Sequence, residues 1–414
     1  MIRIYPSVFN GTLRAPAAVA HAQRLLFMSA IPALDTTVCN VPECDSIDVA
    51  IDCLKALGCE VQRFGSNCTV KPFPKNVPVQ AVQFDFGGSS TASRIAVALA
   101  AAFGIKADCT AYVAEHNMKS FSLTSRMALR GVKFTAFTLP FSMQGRLEPG
   151  EYVLDGDEGS QFISALLIAL PLLHDDSTIK LKSPLVDTSF VELTIESMEN
   201  FGVHVEKTDT GYFIPGRQYY TSPVSITAEN DWGLASLWIA AGAACGEGNG
   251  KVVVTDLPAV SPQLYRNVTR ELPLIAQDFA ELDFDASDCP SLATYYAAMA
   301  AVKGATVSIS GVPQLRSKES DRLSVMHEIC GKLGQRSEVT ADGLKITGTG
   351  APNYKEDTVL DCHKDPWVFM SMALAAAKLT KPIILNDEDC VDSIYRNFLA
   401  DYSALGGKYE IIKE

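Results

Sequence analysis

The feature that most constrains the fold of this chain is a local pattern that recurs along it. An amphipathic helical stretch is followed by a glycine and then by an alternating, strand-like stretch. The glycines concerned are Gly58, Gly131, Gly202, Gly334 and Gly406. Glycine at such a position supplies the left-handed residue that commonly ends a helix. The spacings are 73, 71, 132 and 72 residues, and 132 is close to two repeats. We therefore infer six repeats of about 70 residues, of which one, near residues 262–288, is degenerate.

Each repeat combines helices and strands. Turn signals at Thr210-Gly211 and Asp342-Gly343 predict hairpins after two of the glycines. Helices are predicted at residues 92–102, 162–173 and 234–244, each after a run of Gly, Ser, Thr or Asp suited to capping. A repeat with two helical stretches and several strands is larger than the common solenoid repeats. The pattern therefore predicts repeated α/β modules.

The composition is that of a globular protein. The chain has 414 residues, 47% of them hydrophobic, which is enough for two or more domains. The net charge of −13 argues against nucleic acid or an anionic membrane as the main partner, and no apolar run reaches the length of a membrane span. Eleven cysteines without a framework spacing predict reduced thiols and a cytoplasmic location. The six histidines are dispersed, so neither a metal nor another cofactor is implied.

One short segment concentrates charge. Residues 316–323 read R-S-K-E-S-D-R-L, just before a predicted helix at residues 323–333. If this segment opens the helix, Lys318 and Arg322 share a face, with Glu319 at the same rim. Backbone N–H groups and side-chain cations would then suit a small anion, and a carboxylate beside a lysine can exchange protons. The alternative is a solvated charged turn.

Several motifs occur in one order along nearly the whole chain. They are Ala15-Pro16 followed by Arg24-Leu25-Leu26, the glycine-rich segment at 87–94, G-S-Q-F-I-S-A-L-L at 159–167, the helix opening at 231–241, K-E-S-D-R at 318–322 and Leu405-Gly406-Gly407. With these motifs the chain resembles the EPSP synthases (3-phosphoshikimate 1-carboxyvinyltransferases), for which K-E-S-D-R is among the most specific signatures.

The resemblance implies an α/β (α+β) fold of two domains. Each domain would contain three βαβαββ units, the inverse α/β barrel of the enolpyruvyl transferases, in agreement with the six repeats. The N-terminal domain is expected at residues 12–228, and the C-terminal domain at residues 1–11 plus 229–414. The implied activity is transfer of the enolpyruvyl group from phosphoenolpyruvate to shikimate 3-phosphate, in the shikimate pathway of aromatic amino acid biosynthesis. A cytoplasmic monomer that binds these small anionic substrates is expected.

The resemblance also implies a set of site residues. Lys318 and Glu319 would be catalytic, with Lys318 near the reacting hydroxyl group. Because both substrates carry phosphate and carboxylate groups, the site needs several cations. The residues implied in substrate binding are Arg24, Thr91, Arg94, Ser160 and Gln161 on the phosphoshikimate side and Arg322 on the enolpyruvyl side.

Other positions depart from the pattern of the family. The family's S-K-S becomes Ala18-Val19-Ala20, its R-P segment becomes Ser120-Phe121-Ser122, a serine and a tyrosine become Asp187 and Phe190, the arginine of D-H-R becomes Trp367, and a C-terminal lysine becomes Asp392. The family's catalytic aspartate aligns near Ser291, with Asp288 as a substitute if the register shifts.

These departures leave the function open between two hypotheses. An active carboxyvinyltransferase would need other cations, for which the sequence offers Lys119, Arg126, Lys364 and Arg396. An impaired or repurposed paralogue would bind a less anionic ligand or a protein partner. A third possibility, a module of the RNA 3′-phosphate cyclase type, is disfavoured by the negative charge and by the K-E-S-D-R segment.

Overall fold

The computed structural model describes residues 1–74, 80–111, 121–245, 251–263, 281–287 and 289–412. It divides into two compact units. The N-terminal unit contains Ala17–Glu229 and Val260–Pro262, and the C-terminal unit contains Met1–Pro16, Asn230–Ala259 and Gln263–Glu414. Within the described ranges, no helix is both long and apolar enough to cross a membrane.

The N-terminal unit contains three four-stranded sheets and six helices among its described residues. Its strands are β3 (Thr36–Cys39), β4 (Glu60–Phe64), β5 (Asn67–Lys71), β6 (Val82–Asp85), β7 (Ala107–Thr110), β8 (Val132–Phe134), β9 (Phe141–Gly145), β10 (Glu151–Leu154), β11 (Ser177–Leu181), β12 (Glu206–Thr208), β13 (Gly211–Ile214) and β14 (Ser225–Thr227). Its helices are α1 (Val19–Ser29), α2 (Asp45–Ala56), α3 (Ser90–Phe103), α4 (Phe121–Ala128), α5 (Ser160–Ala169) and α6 (Thr188–Asn200).

The C-terminal unit has two four-stranded sheets and one two-stranded sheet among its described residues. Its strands are β1 (Ile2–Tyr5), β2 (Gly11–Arg14), β15 (Val252–Thr255), β16 (Glu281–Asp285), β17 (Thr306–Ser310), β18 (Arg336–Val339), β19 (Leu344–Thr347), β20 (Thr358–Leu360), β21 (Ile383–Leu385) and β22 (Lys408–Ile411). Its helices are α7 (Trp232–Cys245), α8 (Ala293–Lys303), α9 (Arg322–Lys332), α10 (Pro366–Ala376) and α11 (Phe398–Ala404).

One strand order is repeated in all five four-stranded sheets. The sheets are β14-β3-β5-β4, β6-β7-β9-β8, β10-β11-β13-β12, β16-β17-β19-β18 and β20-β21-β1-β22. In each, the first two strands are parallel and the remaining neighbours are antiparallel. This is the order that a βαβαββ unit produces. The sixth sheet is the parallel pair β2–β15, and most of the repeat predicted to be degenerate, including residues 264–280, lies outside the described residues.

The predicted glycine stops are confirmed. Gly58, Gly131, Gly202, Gly334 and Gly406 all have positive φ, between 74° and 103°. Both predicted hairpins form, as β12–β13 and β18–β19. The helix predicted at residues 162–173 instead ends at Ala169 and continues as a 3₁₀ turn, Leu170–Leu172. Pro171 explains the change, because its nitrogen cannot donate the next helical hydrogen bond.

Helices form the core of each unit. In α10, every residue except Trp367 is buried, and α3 is buried from Ala92 to Ala102. The sheet strands instead alternate, as in β5, where Cys68 and Val70 are buried and the residues on either side of them are half-buried or exposed. A helix that is buried on all sides needs cover on all sides, so the sheets form the outer layer. The N-termini of these inner helices carry most of the predicted site residues.

Candidate functional site

The helix predicted at residues 323–333 forms as α9 (Arg322–Lys332), and Lys318 lies outside it. Helix α9 begins at Arg322, and Asp321 caps it by accepting a hydrogen bond from Ser324 N at 3.2 Å. Lys318 precedes the helix in an extended conformation, with φ −90° and ψ −151°. The expectation that Lys318 and Arg322 share a helical face is therefore wrong. The physical reason is the capping by Asp321, which sets the first helical residue.

Arg322 is almost completely buried and is held by a carboxylate from another element. Its side chain is 2% exposed, and its Nε donates to Asp365 Oδ2 at 2.7 Å. Ser320 Oγ donates to the same oxygen at 3.0 Å. Asp365 itself caps α10, because its Oδ1 accepts hydrogen bonds from Trp367 N at 3.0 Å and Val368 N at 3.3 Å. Asp365 therefore joins the charged segment to the start of α10.

Glu319 forms the second ion pair of Arg322, through Nη2. The side chain of Glu319 is 50% exposed, whereas that of Asp365 is 0% exposed. Partial removal from water raises the pKa of Glu319, but the charges of Arg322 and Lys318 outweigh this and hold that pKa below its usual range. Burial raises the pKa of Asp365, against the opposing effect of Arg322, and the Glu319 carboxylate adds to the rise. The two carboxylates that pair with Arg322 thus differ in exposure and in the direction of their pKa shifts.

Among the residues that the structure describes, the charges of this cluster are balanced. The cations Lys318 and Arg322 stand beside the carboxylates of Glu319 and Asp365. A small anion therefore meets no excess positive charge unless one carboxylate moves away or takes a proton. Elsewhere in the described ranges, no three His, Cys, Asp or Glu side chains are grouped as metal ligands would be.

In the N-terminal unit, Arg24 of α1 is 1% exposed and joins three helices. Its Nε donates to Thr194 Oγ1 of α6 at 2.7 Å, and its Nη2 donates to Ser164 Oγ of α5 at 3.1 Å. Its Nη1 donates to the carbonyl oxygen of Ala20 at 2.7 Å, and its guanidinium lies 5.7 Å from the ring centre of Phe190. Burial lowers the pKa of Arg24 to about 10, so the guanidinium stays charged at neutral pH.

Arg94 lies in α3 and is 5% exposed. Its Nη1 donates to Gln161 Oε1 at 2.5 Å, and its guanidinium lies 4.6 Å from the ring centre of Phe162. Ser90 Oγ donates to the same Gln161 oxygen at 3.3 Å. Helix α5 thus contacts both buried arginines, Arg94 through its first turn and Arg24 through its second.

Thr91 and Ser160 lie in the first turns of the same two helices, α3 and α5. Ser160 is 3% exposed, and Thr91 is half-buried. Of the five candidates of the N-terminal unit, Arg24 and Arg94 bind residues of α5, Ser160 and Gln161 belong to it, and Thr91 lies in the first turn of α3. The three candidates of the C-terminal unit lie around the start of α9. Whether these eight residues carry out their implied roles stays a prediction.

The positions that depart from the family are distributed over several elements. Val19 begins α1 and is 9% exposed, Phe190 contacts Arg24, and Asp187 precedes α6 with a left-handed φ of 54°. Ser291 lies in the 3₁₀ turn Pro290–Leu292, Trp367 packs partly buried against the core, and Asp392 lies in the 3₁₀ turn Glu388–Ser393. Ser120 and Asp288 lie outside the described residues.

The sequence offered four other cations, of which three can be located. Arg126 Nη2 lies 3.9 Å from Asp155 Oδ2, and Arg396 is exposed. Lys364 has a left-handed φ of 55°, and its backbone N–H donates to Asp387 at 3.1 Å. Lys119 lies outside the described residues.

Four residues with structural roles at the site were not among the predictions, namely Ser320, Asp365, Ser164 and Thr194. Three of them carried a usable local signal. Asp365 precedes a proline, the combination typical of a helix N-cap followed by the first helical residue. Ser320 lies inside the recognised charged motif. Ser164 also lies inside a recognised motif, G-S-Q-F-I-S-A-L-L at residues 159–167. Thr194 carried no such signal, because nothing in the neighbouring sequence distinguishes it from other polar residues of its helix.

Comparison with known proteins gives consistent matches over the whole chain. The family model described as EPSP synthase (3-phosphoshikimate 1-carboxyvinyltransferase) matches residues 5–401. A 3-phosphoshikimate 1-carboxyvinyltransferase of Clostridium perfringens is 27% identical over 428 aligned positions, which cover 98% of each chain. The protein of that name from Saccharolobus islandicus is 27% identical over 435 aligned positions, covering 99% of this chain and 100% of the relative.

Solved structures share the fold. An EPSP synthase from Acinetobacter baumannii superposes with a TM-score of 0.76 at 18% identity, covering 100% of this chain and 99% of that one. The enolpyruvyl transferase NikO from Streptomyces tendae also gives a TM-score of 0.76, at 17% identity, with 99% of this chain and 98% of that one covered. These likenesses confirm the predicted fold class.

Proposed function

The chain belongs to the EPSP synthase family, and from this premise we propose that it is a divergent carboxyvinyltransferase that transfers the enolpyruvyl group of phosphoenolpyruvate to shikimate 3-phosphate. This reaction belongs to the shikimate pathway of aromatic amino acid biosynthesis. The observation that carries the proposal is the family match over residues 5–401 together with an intact K-E-S-D-R segment whose arginine is held by a buried carboxylate.

We assign the binding of shikimate 3-phosphate to residues of the N-terminal unit. Arg24 is a buried guanidinium group that contacts two hydroxyl groups, a carbonyl oxygen and an aromatic ring, and Arg94 is buried beside Gln161 and Phe162. Burying a charge is costly unless an opposite charge or good hydrogen bonds compensate it. Anionic groups of a ligand would supply that compensation at Arg24. Thr91, Ser160 and Gln161 would add neutral hydrogen bonds from the first turns of α3 and α5.

We assign the binding of phosphoenolpyruvate, the enolpyruvyl donor, to residues of the C-terminal unit. Arg322 would bind an anionic group of phosphoenolpyruvate, and Lys318 would lie near the attacking hydroxyl group. That hydroxyl group loses its proton as its oxygen bonds to C2 of phosphoenolpyruvate, while C3 gains a proton. The resulting tetrahedral carbon then loses inorganic phosphate and a proton from C3, which restores the double bond. Glu319 is the group that we assign to proton transfer, because it is half-exposed and next to a lysine.

The test is phosphate release from the two substrates, with Glu319→Gln as the matched variant. The substitution keeps the size of the side chain and removes its proton-transfer ability. We expect the rate to fall by about a hundred- to a thousandfold, within the range for the loss of general acid–base catalysis. A coupled phosphate assay measures it. If wild type and Glu319→Gln give the same background rate, phosphate release does not come from this site.

Binding measurements separate this function from the alternative. Calorimetry with shikimate 3-phosphate, and separately with phosphoenolpyruvate, should show binding of both at millimolar concentration or below. If neither substrate binds, the active carboxyvinyltransferase is excluded and the repurposed paralogue remains.

We also propose that the protein works as a cytoplasmic monomer with domains at residues 12–228 and 1–11 plus 229–414. Support for the compartment comes from the cysteines, all of which are free thiols in the described structure, as in reducing surroundings. The boundaries are supported by the family resemblance. Size-exclusion chromatography with light scattering tests the monomer, for which the expected mass is 44.6 kDa.

A further inference from the structure

Asp365 and Glu319, the two carboxylates that pair with Arg322, differ in exposure and in the number of hydrogen bonds that they accept. These properties decide how easily each can move away from Arg322. Asp365 is 0% exposed and accepts four hydrogen bonds, from Arg322, Ser320, Trp367 N and Val368 N. Glu319 is 50% exposed and contacts Arg322 from the same short segment, three residues away. Moving Asp365 would leave a buried charge and several buried donors without partners, which costs several kcal/mol in typical cases. Moving Glu319 exposes it to water at little cost.

The backbone before Asp365 is also held in an unusual conformation. His363 and Lys364 are consecutive non-glycine residues with left-handed φ values of 51° and 55°. Their N–H groups donate to Asp361 Oδ1 at 2.8 Å and to Asp387 Oδ2 at 3.1 Å. Such conformations persist where the surroundings determine them and are concentrated at functional sites. Asp365 is therefore fixed both by its own hydrogen bonds and by the chain that leads to it.

We propose that Asp365 is a positioning residue that fixes Arg322 and Ser320, and that Glu319 occupies the anion position on Arg322 until a substrate anion replaces it. The inference rests on the proposed function in taking Arg322 as an anion ligand. Glu319 would leave Arg322 as the anion arrives, and the freed carboxylate would lie beside the bound ligand. Asp365 would not move.

The charge balance of the cluster supports this exchange. With Glu319 on Arg322, the charges of Lys318 and Arg322 are matched by those of Glu319 and Asp365. Displacement removes the pairing that holds the pKa of Glu319 low, so this pKa should rise when an anion binds. A proton taken up by Glu319 would leave the cluster with a net positive charge towards the anion. Anion binding and protonation of Glu319 are thus coupled, and the exchanged carboxylate becomes an acid next to the substrate.

The first test compares Glu319→Gln with Asp321→Asn, using phosphoenolpyruvate and inorganic phosphate as separate probes in calorimetry. Both variants remove one negative charge from the same segment, but Asp321 pairs with Arg316 and caps α9. We expect Glu319→Gln to bind the probes about two- to fivefold more tightly, the value of a half-exposed ion pair. Asp321→Asn should change affinity by less than about twofold, since asparagine also caps helices.

The second readout is the number of protons bound with the anion. Titrations near pH 5 in buffers of different ionisation enthalpy should show more proton uptake by the wild type than by Glu319→Gln, since proton exchange by the phosphate group of the probe is common to both proteins. A merely structural role of Glu319 would not produce this difference. The exchange would be overturned if Glu319→Gln bound the probes as tightly as the wild type or more weakly. Equal proton uptake by the two proteins would also overturn it.

The positioning role is tested with Asp365→Asn and Ser320→Ala. Asp365→Asn should weaken binding of the probes by about thirtyfold or more, as expected when one partner of a buried charge pair is lost. Ser320→Ala, which removes one of the four hydrogen bonds to Asp365, should weaken it by about two- to tenfold. Asp231→Asn, at the start of α7 in the same unit, controls for loss of a capping carboxylate.

The outcomes separate this inference from the proposed function. If Asp365→Asn does not fold, Ser320→Ala decides the positioning role, and wild-type affinity in that variant overturns it. If phosphoenolpyruvate binds but Glu319→Gln does not tighten binding, the exchange is wrong and the proposed function stands. If only inorganic phosphate binds and Glu319→Gln tightens its binding, the exchange stands and the proposed function fails. If neither probe binds the wild type at millimolar concentration, the inference is overturned.

Discussion

The buried arginines differ in how their charges are compensated. Arg322 contacts two carboxylates, whereas the described contacts of Arg24 are with two hydroxyl groups, a carbonyl oxygen and the ring of Phe190. Neutral acceptors compensate a buried charge less completely than a carboxylate does. An anionic ligand would therefore gain more at Arg24 without displacing a protein group, whereas at Arg322 it has to compete with Glu319.

A pH effect is expected from His21, one turn before Arg24 in α1. Its Nδ1 accepts a hydrogen bond from Glu229 N at 3.1 Å. Burial, with a contribution from the charge of Arg24, lowers the pKa of His21 from 6.5 to about 3. Below pH 6.5 the unfolded chain binds a proton that the folded chain does not, so stability is lost as the pH falls from 6.5 towards 3.

Substitution His21→Asn should reduce this loss, because asparagine can accept the same hydrogen bond but does not titrate. Between pH 7 and pH 5, the variant should lose about 2 kcal/mol less than the wild type. Urea denaturation at a series of pH values measures the difference. His174→Asn, at an exposed position, is the control and should follow the wild type. Parallel pH profiles of His21→Asn and wild type would contradict the prediction.

At the scale of elements, the glycine stops connect the sequence most directly to the fold. Gly131 and Gly202 occupy equivalent positions in neighbouring repeats, with φ values of 90° and 74°. Their surroundings differ. A Cβ atom at Gly131 would lie 2.4 Å from the carbonyl oxygen of Arg146, whereas at Gly202 the nearest atom would be Thr221 Oγ1 at 3.6 Å. At Gly202 only the left-handed conformation requires glycine, but at Gly131 the packing of the chain requires it as well.

We therefore expect Gly202→Ala to cost about 1–2 kcal/mol of unfolding free energy, the penalty for a left-handed alanine. Gly131→Ala should cost more, because the backbone at Arg146 has to move. Gly331→Ala is the control, since Gly331 lies within α9 and a Cβ there meets nothing within 4 Å. It should stabilise the protein by about 0.4–1 kcal/mol. Urea denaturation ranks the three variants, and equal costs at Gly131 and Gly202 would show that packing adds nothing.

At the scale of the whole molecule, the repeats do not follow the order of the chain strictly. The sheet of the last repeat takes in β1 from the start of the chain, and that of the first repeat takes in β14 from residues 225–227. The residues that depart from the family are likewise spread over the chain, from Val19 to Asp392. The effect of these departures on activity is therefore a property of the set of residues rather than of one position.

Restoring one position should therefore not restore the site. By the family pattern, Val19 replaces a lysine that contacts both substrates. We expect Val19→Lys to change the phosphate-release rate by less than about tenfold, although a single transition-state donor commonly contributes a hundred- to a thousandfold. Trp367 and Asp392 would still lack the charges that the family pattern places there. A gain of a hundredfold or more, abolished by adding Glu319→Gln, would show instead that position 19 alone limits the reaction.

Sequence patterns alone were sufficient to predict the fold and the family. The recurring glycines predicted six α/β repeats, and the structure has the corresponding sheet order wherever the repeats are described. Hairpins and helix ends were predictable because they depend on local backbone conformation and capping, which neighbouring residues control. The charged segment was also found from sequence alone, and its helix begins at Arg322, within one residue of the predicted start. Lys318 is not part of that helix, because capping by Asp321 sets the first helical residue.

Only the tertiary structure decided which groups the site residues contact. Arg322 meets Asp365 across 43 residues of sequence, and Arg24 meets Thr194 across 170. No local pattern encodes such pairs, because they depend on how whole helices pack. The same packing buries Asp365 and leaves Glu319 half-exposed. Two carboxylates that the sequence does not distinguish therefore have different roles in our proposal. Asp365 holds Arg322 in position, and Glu319 is displaced from Arg322 by the substrate anion.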